Sequence, residues 1–275
     1  MGILLKLWLL FPQRIRLWAY QLLVRVGLRL YGPTTSFSCF RLPFNLYAKA
    51  GYGVDVHEAN ALRFISQHVA GPLPSLVDVI PYPRFENGMF IVMTRLPGKP
   101  LALGLWDMSP EQRSLLASDL KRIIDQMRSI PPPQTGPKIC AVDGGPVLCY
   151  RVCVDRVGPF ETEADFYQWL SDRLVLEEQD RLKAFAKPVH SKTHPIYLTH
   201  NDFSPQNILV DENGRLTGLV DWACLSWFPQ YWEWTRSYYA KESYGPWREM
   251  MDKIFGRYEE ELAVEQELWK YTSPW

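Results

Sequence analysis

One segment of the sequence, residues 199–222, concentrates side chains that could carry out chemistry. His200, Asp202 and Asn207 follow one another in the order H-x-D-x-x-x-x-N, and Asp221 comes near the end of the segment. Between Asn207 and Asp221, two apolar stretches at 208–210 and 216–220 flank an Asn-Gly turn, which predicts a β-hairpin. A hairpin brings its two ends together, so the oxygens of Asn207 and Asp221 should converge.

This set of side chains suits phosphoryl transfer. An amide oxygen beside a carboxylate is a pair of hard ligands, as Mg²⁺ bridging phosphates requires. Asp202 lies one loop earlier and could orient or deprotonate a hydroxyl that attacks a phosphoryl group. The reaction needs a metal, a positioned hydroxyl and charge neutralisation. The other interpretation of Asp202 and Asn207 is a solvated loop with an Asx turn.

The segment resembles the catalytic loop of the protein kinase superfamily. The order H-x-D-x-x-x-x-N followed by Asp-Trp is similar to the aminoglycoside phosphotransferase and choline kinase group, and the run 198–234, with its Trp-Phe-Pro-Gln-Tyr-Trp-Glu-Trp tail, resembles the fungal branch. The resemblance covers about 30–240. It implies an α+β, protein kinase-like fold of two lobes, with a small mixed sheet and one helix in the first and a mainly helical second.

The same resemblance implies roles for residues further upstream. Lys49, at the end of a strand predicted over 45–50, would hold the nucleotide phosphates, and Glu58 in the next helix would hold Lys49. The carbonyl of Thr94 and the amide of Leu96 would read the base, with Met93 as gatekeeper. His200 would be a structural hydrogen-bonding residue without a role in proton transfer. Taken singly, Lys49 or Glu58 would more often be a surface charge, and the segment 91–96 would be an ordinary buried strand.

The implied function is a small-molecule phosphotransferase. It would move the γ-phosphoryl group of ATP or GTP to a hydroxyl of a small acceptor with Mg²⁺, using Asp202 as catalytic residue and Asn207 and Asp221 as metal ligands. Three departures stand out: Asn201 where glycine is usual, Ala223 where an acid is common, and no glycine-rich loop before Lys49, where phosphate contacts could come only from Thr34, Thr35, Ser36 and Ser38. The missing loop motivates the alternative, a pseudo-kinase that binds or regulates without turnover.

The elements that must position these residues follow from the pattern of apolar and turn residues. We predict two strands within 37–50, a helix over 56–69, and strands at 77–80 and 89–94. Helices follow at 110–130, where Ser109 and Gln112 form a capping box, and at 162–186, 229–241 and 246–271, with a long loop over 131–161. The chain then divides into a helical extension (1–31), a nucleotide-binding lobe (32–98) and a lobe with the catalytic loop and acceptor site (99–275).

The acceptor is not readable from the sequence. Aromatic residues crowd positions 222–239, and most of them should belong to the core. Aromatic faces would also suit a quaternary ammonium group or a sugar ring. Glu233 and Glu242 could meet an amine of the acceptor, although either could be an ordinary solvated charge.

The charge balance and the cysteines restrict the class of protein further. Thirty basic and thirty acidic residues cancel, which argues against a nucleic-acid binder, yet residues 1–54 hold seven basic residues and no acid. Five cysteines without a CxxC pair indicate reduced thiols and predict a cytoplasmic protein.

The N-terminal segment has three possible interpretations. Within an amphipathic helix over 13–31, Arg14, Arg25 and Arg29 share a stripe, and Ile15, Leu22, Leu23, Val26 and Leu30 lie opposite. We expect this helix to dock on the domain with solvated arginines. Peripheral contact with an anionic membrane through residues 1–31 is the second interpretation. A mitochondrial presequence is the third, and the lack of serine argues against it.

Overall fold

The first part of the chain forms a small sheet with helices on both sides. A computed structural model describes residues 3–174, 176–239 and 245–272. Two helices, α1 (Ile3–Leu9) and α2 (Gln13–Tyr31), precede the sheet. Its strands are β1 (Cys39–Leu42), β2 (Leu46–Ala50), β3 (Leu76–Pro81) and β4 (Met89–Thr94), and α3 (Val56–His68) connects β2 to β3. All three pairings in the order β1-β2-β4-β3 are antiparallel, so the sheet is purely antiparallel and not the mixed sheet that the sequence predicted.

The second part is mainly helical. Its helices are α4 (Pro110–Ser129), α5 (Glu163–Asp172), α6 (Leu176–His190), α7 (Trp232–Ser237), α8 (Pro246–Phe255) and α9 (Glu259–Thr272). Its strands are β5 (Lys99–Pro100), β6 (Val147–Cys149), β7 (Cys153–Val157), β8 (Ile196–Thr199), β9 (Ile208–Val210), β10 (Leu216–Leu219) and β11 (Ser226–Pro229). β5 joins the β9–β10 hairpin, β6 pairs with β7, and β8 pairs with β11. This architecture confirms the predicted α+β class with a small sheet lobe (N-lobe) and a helical lobe (C-lobe).

The two faces of the N-lobe sheet have different partners. Ala48 and Ala50 of β2 pack in one apolar cluster with Tyr20 of α2. Lys49 lies between them in the strand, so its side chain points to the opposite face, where it meets Glu58 of α3. α2 and α3 therefore cover opposite faces of the sheet, and Lys49 lies on the α3 side.

The N-terminal helix docks on the sheet, as expected, but through a different face. The buried residues of α2 are Arg16, Tyr20 and Gly27. A Cβ atom on Gly27 would lie 1.9 Å from the carbonyl oxygen of Arg41, so only glycine permits this approach of helix to strand. The expected docking stripe was wrong in part: Ile15 and Leu22 are exposed and lie on the same side of the helix as Arg25 and Arg29, whereas Leu23 packs against the sheet. Close backbone contact at Gly27, rather than the number of apolar side chains, decides which face is buried.

Several boundaries in the C-lobe also differ from expectation. The capping box of Ser109 and Gln112 is confirmed at the start of α4. The predicted loop over 131–161 instead contains the hairpin β6–β7, and the helix predicted over 162–186 is two helices, α5 and α6. The helix predicted over 246–271 is interrupted after α8, where Gly256 has φ 82° and caps the helix. β11 occupies the predicted start of the 229–241 helix, so α7 begins later, and 240–241 lie outside the described residues.

Two findings bear on the surroundings of the protein. In the described part of the chain, no helix combines the length and apolar character needed to cross a membrane. All five cysteines are free thiols, and three of them are buried.

Candidate active site

The β9–β10 hairpin brings Asn207 and Asp221 next to each other. Ile208 pairs with Leu219, and one step further out the amide of Val220 donates to the carbonyl oxygen of Asn207 at 2.9 Å. Asp221 then adopts a left-handed conformation with φ 66°, which turns the chain into a short 3₁₀ turn at Trp222–Cys224. The two ends of the hairpin therefore meet, which is the arrangement expected for a pair of metal ligands.

His200 supports the catalytic loop from inside the core. It is fully buried, its Nε2 donates to the carbonyl of Val220 at 3.0 Å, and its Nδ1 accepts from the amide of Asp202 at 3.3 Å. Burial lowers the pKa of His200 to about 4, so the ring is neutral at physiological pH. A neutral ring with both nitrogens occupied holds the loop against the strand and has no proton to exchange with a substrate.

Glu233 of α7 is a second support for the loop. The sequence had suggested that it could meet an amine of the acceptor, but its carboxylate is bound to the loop instead. It is 2% exposed and accepts hydrogen bonds from the backbone amides of His200 at 2.6 Å and Asn201 at 2.9 Å. Burial raises the pKa of Glu233 to about 7, although both amides favour the ionised form. The other acid suggested for the acceptor, Glu242, lies outside the described residues.

Asn201 occupies the position where glycine is usual in similar sequences. Its φ is 63°, a left-handed conformation that asparagine tolerates better than most residues. The side chain is fully buried, with Oδ1 accepting from the indole of Trp232 at 3.0 Å and Nδ2 donating to the carbonyl of Leu148 at 2.9 Å. The asparagine therefore ties the catalytic loop to β6 and α7 and leaves the loop conformation intact.

Asp202 is held between an amide and a guanidinium group. Nδ2 of Asn207 donates to its Oδ2 at 2.8 Å, and Nη2 of Arg236 pairs with its Oδ1 at 2.9 Å. Burial raises the pKa of Asp202 to about 6 despite the opposing charge of Arg236. Since the amino group of Asn207 is engaged by Asp202, its Oδ1 is the atom left for a metal ion. The sequence alone did not identify Arg236, which lies in α7 outside the motif.

Lys49 links the two lobes by an ionic chain. Its Nζ lies 2.6 Å from Oε1 of Glu58 and 2.8 Å from Oδ1 of Asp221. Burial disfavours the ammonium ion, but the two carboxylates outweigh it and raise the pKa of Lys49. Burial likewise opposes ionisation of Asp221, but Lys49 outweighs it and lowers the pKa of that carboxyl. The side chain of Asp221 is 40% exposed, so the Asp221 end of this series of ion pairs faces the space between the lobes.

The first turn of α3, which carries Glu58, is attached to the C-lobe. Asp55 caps the helix by accepting from the amide of His57 at 3.0 Å, and it also binds Nη2 of Arg156 in β7 at 2.9 Å. Asp143 accepts from Nδ2 of Asn60 at 2.9 Å and lies 2.7 Å from Nδ1 of His57. Neither Arg156 nor Asp143 belongs to a recognisable sequence motif. These contacts could therefore not be predicted from the sequence.

Thr94 and Leu96 lie where the sheet passes into the C-lobe. Thr94 ends β4, and its amide and hydroxyl are both bonded to the backbone of Ser75, at 3.0 and 2.9 Å. Leu96 follows in the connection to β5 and packs against β10, where a Cβ on Gly218 would lie 3.0 Å from its Cδ1. Leu96 thus adjoins the hairpin that connects Asn207 to Asp221. The role of Thr94 and Leu96 in reading a base remains a prediction.

The segment 33–48, directly before Lys49, is compact and has no glycine. A turn at 43–45 connects β1 to β2, with φ 62° at Phe44 and 57° at Asn45. The hydroxyl of Thr34 donates to the carbonyls of Ser36 and Cys39, and the carbonyl of Ser38 accepts from Ala50 at 2.8 Å. Residues 34–38 therefore lie beside the end of the strand that carries Lys49.

The donor set fits a magnesium ion that is shared with phosphates. Mg²⁺ is usually held by one or two carboxylates, with water and phosphate oxygens completing the shell. Here the carboxylate of Asp221 pairs with Lys49, and the backbone carbonyl of Asn207 is bonded to the amide of Val220, next to Asp221. Within the described ranges there is no group of three or more His, Cys, Asp or Glu that could hold a metal by itself.

These features define a two-lobed phosphotransferase fold, and comparison with known proteins gives the family. The model of the phosphotransferase enzyme family (APH) matches residues 56–268. The chain therefore belongs to this family. A curated relative, "Clavilactone A biosynthesis cluster protein Y" of Ampulloclitocybe clavipes, is 26% identical over 195 residues, which are 60% of this chain and 48% of that protein. The chain thus spans about half the length of the curated relative it matches.

Solved structures of aminoglycoside phosphotransferases share the fold. A thermostable mutant of APH(4)-Ia, in a ternary complex with ADP and hygromycin B, superposes with a TM-score of 0.61 at 14% identity, over 90% of this chain and 88% of that one. The GDP and kanamycin complex of APH(2")-IIia gives 0.60 at 14% identity, over 91% and 87%. At such low identity these likenesses show the fold alone.

Proposed function

We propose that the protein is an active small-molecule kinase that transfers the γ-phosphoryl group of a nucleoside triphosphate to a hydroxyl. The observation that carries the proposal is the ionic chain Glu58–Lys49–Asp221. Lys49 and Asp221 lie 172 positions apart in the sequence, yet their charged atoms are 2.8 Å apart at the boundary of the lobes. A buried lysine with two carboxylates is costly to desolvate, so a role in binding phosphate explains its presence better than stability does.

Each residue has a distinct task in this reaction. Lys49, held by Glu58, would bind the nucleotide phosphates. Asn207 and Asp221 would hold Mg²⁺, which supplies charge neutralisation on the transferring phosphoryl group. Thr94 and Leu96 would offer backbone groups to the base of ATP or GTP.

Asp202 would orient the acceptor hydroxyl and take its proton. Its two carboxylate oxygens are fixed by Asn207 and Arg236, so the group is positioned before a substrate arrives. A carboxyl group with a pKa of about 6 is mostly ionised at neutral pH and is still a better base than an ordinary aspartate.

The acceptor would be a small hydroxylated molecule. The structural neighbours bind the aminoglycosides hygromycin B and kanamycin. In this chain, the carboxylate of Glu233 accepts a hydrogen bond from the backbone of the catalytic loop, and Asp202 is paired with Arg236. Among the described residues, these two acids are therefore not free to bind the amines of a polycation, and we expect an acceptor with fewer amines than an aminoglycoside.

Nucleotide binding can be tested by thermal unfolding with and without Mg²⁺–ATP or Mg²⁺–GTP. Saturation at about 100 times Kd should stabilise the fold by about 2.7 kcal/mol and raise the Tm by several degrees. Asp221→Asn should lose this shift. Glu212→Gln, an exposed change in the β9–β10 turn, is the matched control and should keep it. No shift with either nucleotide would overturn the proposal.

A measurement of turnover distinguishes an active kinase from a pseudo-kinase that only binds nucleotide. We expect γ-phosphate consumption with at least one member of a panel of hydroxylated acceptors. We also expect Asp202→Asn to abolish consumption while keeping the nucleotide-induced shift in Tm. A normal shift without consumption over the whole panel would favour a binding or regulatory protein that does not turn over.

A further inference from the structure

The N-terminal helices expose an apolar surface that no other part of the described chain covers. Its apolar members are Leu7, Leu10, Phe11, Ile15, Trp18 and Leu22, and these together with the exposed Arg25 and Arg29 we call the outer face. Leu10 is 79% and Trp18 is 66% exposed. Single exposed apolar residues are normal, but a continuous group of large ones marks a surface that contacts something else.

Positive charge accompanies the outer face. On α2, Ile15, Trp18, Leu22, Arg25 and Arg29 follow one another three or four residues apart, so they form one stripe along the helix. The stripe is apolar in its first half and basic in its second. Lys6 and Arg14 are also exposed, and residues 1–54 contain no acid that could neutralise this charge.

The opposite side of α2 is fixed, so the outer face cannot turn inward by rotation of the helix. Arg16 forms a buried ion pair with Asp78 of β3, and its Nε donates to the carbonyl of Phe11 at 3.0 Å. The hydroxyl of Tyr20 accepts from the indole of Trp8 at 2.6 Å, which also fastens α1. The outer face is therefore held toward solvent by the fold itself.

The charge decides which partner suits this surface. A second copy of the chain would bring two acid-free, basic segments together, and their repulsion would oppose association. An anionic lipid surface complements both halves of the stripe: apolar side chains enter the boundary between headgroups and acyl chains, and arginines meet the lipid phosphates. Tryptophan is enriched at that depth of a bilayer, and Trp18 is an exposed aromatic in the apolar half of the stripe.

We propose that the outer face docks the protein peripherally on an anionic membrane surface. The helices lie on the membrane and do not cross it. Because α2 and α3 cover opposite faces of the N-lobe sheet, the docked protein keeps the space around Lys49 and Asp221 away from the lipid. The site remains open to nucleotide and acceptor while the protein is bound.

The test is sedimentation of the full chain with vesicles. Phosphatidylcholine vesicles that contain about one third phosphatidylserine should bind the protein, and pure phosphatidylcholine should bind it much more weakly. Binding should also weaken between about 0.1 M and about 0.5 M salt, because the charged contribution is screened. The double substitution Trp18→Ser with Leu22→Ser should reduce the partition coefficient roughly tenfold or more, since it removes two inserted side chains. Arg25→Gln with Arg29→Gln should have a similar effect, at about fivefold per arginine.

Matched controls keep the test specific. Leu115→Ser removes an equally exposed leucine from α4, and Lys187→Gln with Lys253→Gln removes two exposed charges from the C-lobe. Both should bind vesicles like the unmodified chain. The Tm of every variant should stay close to the original value, because the altered side chains are exposed.

Three results would overturn the proposal. The first is equal binding to neutral and anionic vesicles. The second is the absence of vesicle binding, with sedimentation in solution showing a dimer that Trp18→Ser with Leu22→Ser dissociates, which would make a second copy the partner. The third is vesicle binding that the outer-face variants and the controls change equally.

Discussion

The space between the lobes around Lys49, Asp202 and Asp221, which we call the cleft, and the outer face both contain cations, but those of the cleft are buried and those of the outer face are exposed. In the cleft, Lys49 and Arg236 are buried and each contacts a carboxylate, Asp221 or Asp202, from a distant part of the chain. On the outer face, Arg25 and Arg29 are exposed beside large apolar side chains, in a segment without any acid. The cations of the cleft are thus paired within the protein, whereas Arg25 and Arg29 of the outer face project toward solvent.

The largest effect should come from a substitution of Asp202, the proposed catalytic residue in the cleft. Asp202→Asn keeps the size of the side chain but removes the base and the charge that Arg236 binds. We expect kcat to fall by about 10³-fold, with the nucleotide-induced rise in Tm retained. Steady-state phosphate transfer, measured beside thermal unfolding, checks both parts. A variant with near-normal kcat would show that another group activates the acceptor.

A smaller effect should follow from breaking the buried ion pair on the inner side of α2. Arg16→Met leaves the Asp78 carboxylate buried without its cation, and we expect a loss of about 3 kcal/mol in the free energy of unfolding. The double variant with Asp78→Leu should recover much of that loss. Urea unfolding gives both values. If Arg16→Met were as stable as the original protein, the inner face of α2 would not be held by this pair.

His190 is a useful contrast to the paired cations of the cleft, because it is a partly buried titratable group without an acidic partner among the described residues. Its ring stacks on Tyr167 at 4.0 Å, and in the described chain its buried Nε2 has no hydrogen-bond partner. Burial, with a smaller contribution from His194, lowers the pKa of His190 to about 4. The unfolded chain therefore takes up a proton first as the pH falls below about 6.5, and stability is lost between there and pH 4.

His190→Phe should keep the ring contact and remove the titration. We expect a stability at pH 7 that is equal or slightly higher, and an acid-side decline that is shallower by about 1 kcal/mol per pH unit. Unfolding measured at pH 7, 6 and 5 would show this. An unchanged decline would mean that His200 and the carboxyl groups account for it.

The smallest effect belongs to the outer face. Arg25→Gln changes an exposed arginine on the same helix as Arg16, so it should alter the free energy of unfolding by no more than about 0.5 kcal/mol. The contrast between positions 16 and 25 separates the fixed side of α2 from the free side. A loss at position 25 comparable with that at position 16 would show that the outer face is part of the folded core.

Local signals in the sequence account for what could be predicted. The β9–β10 hairpin, the capping box at Ser109 and the strand that carries Lys49 depend on neighbours in sequence, and all appear in the structure. The buried face of α2 could not be found, because it depends on the contact of Gly27 with the backbone of Arg41. The supports from Glu233 and Arg236 were likewise out of reach, since only the fold brings α7 beneath the catalytic loop.

The attachment of α3 has a consequence for control of the protein. A helix that carries the lysine-binding glutamate can act as a switch only if it is free to swing away from the rest of the site. Here its first turn is bound to the C-lobe through Asp55 with Arg156 and through His57 with Asp143. The position of Glu58 beside Lys49 is thus built into the fold. In the kinase that we propose, regulation would therefore act on where the protein resides or on the supply of its substrates.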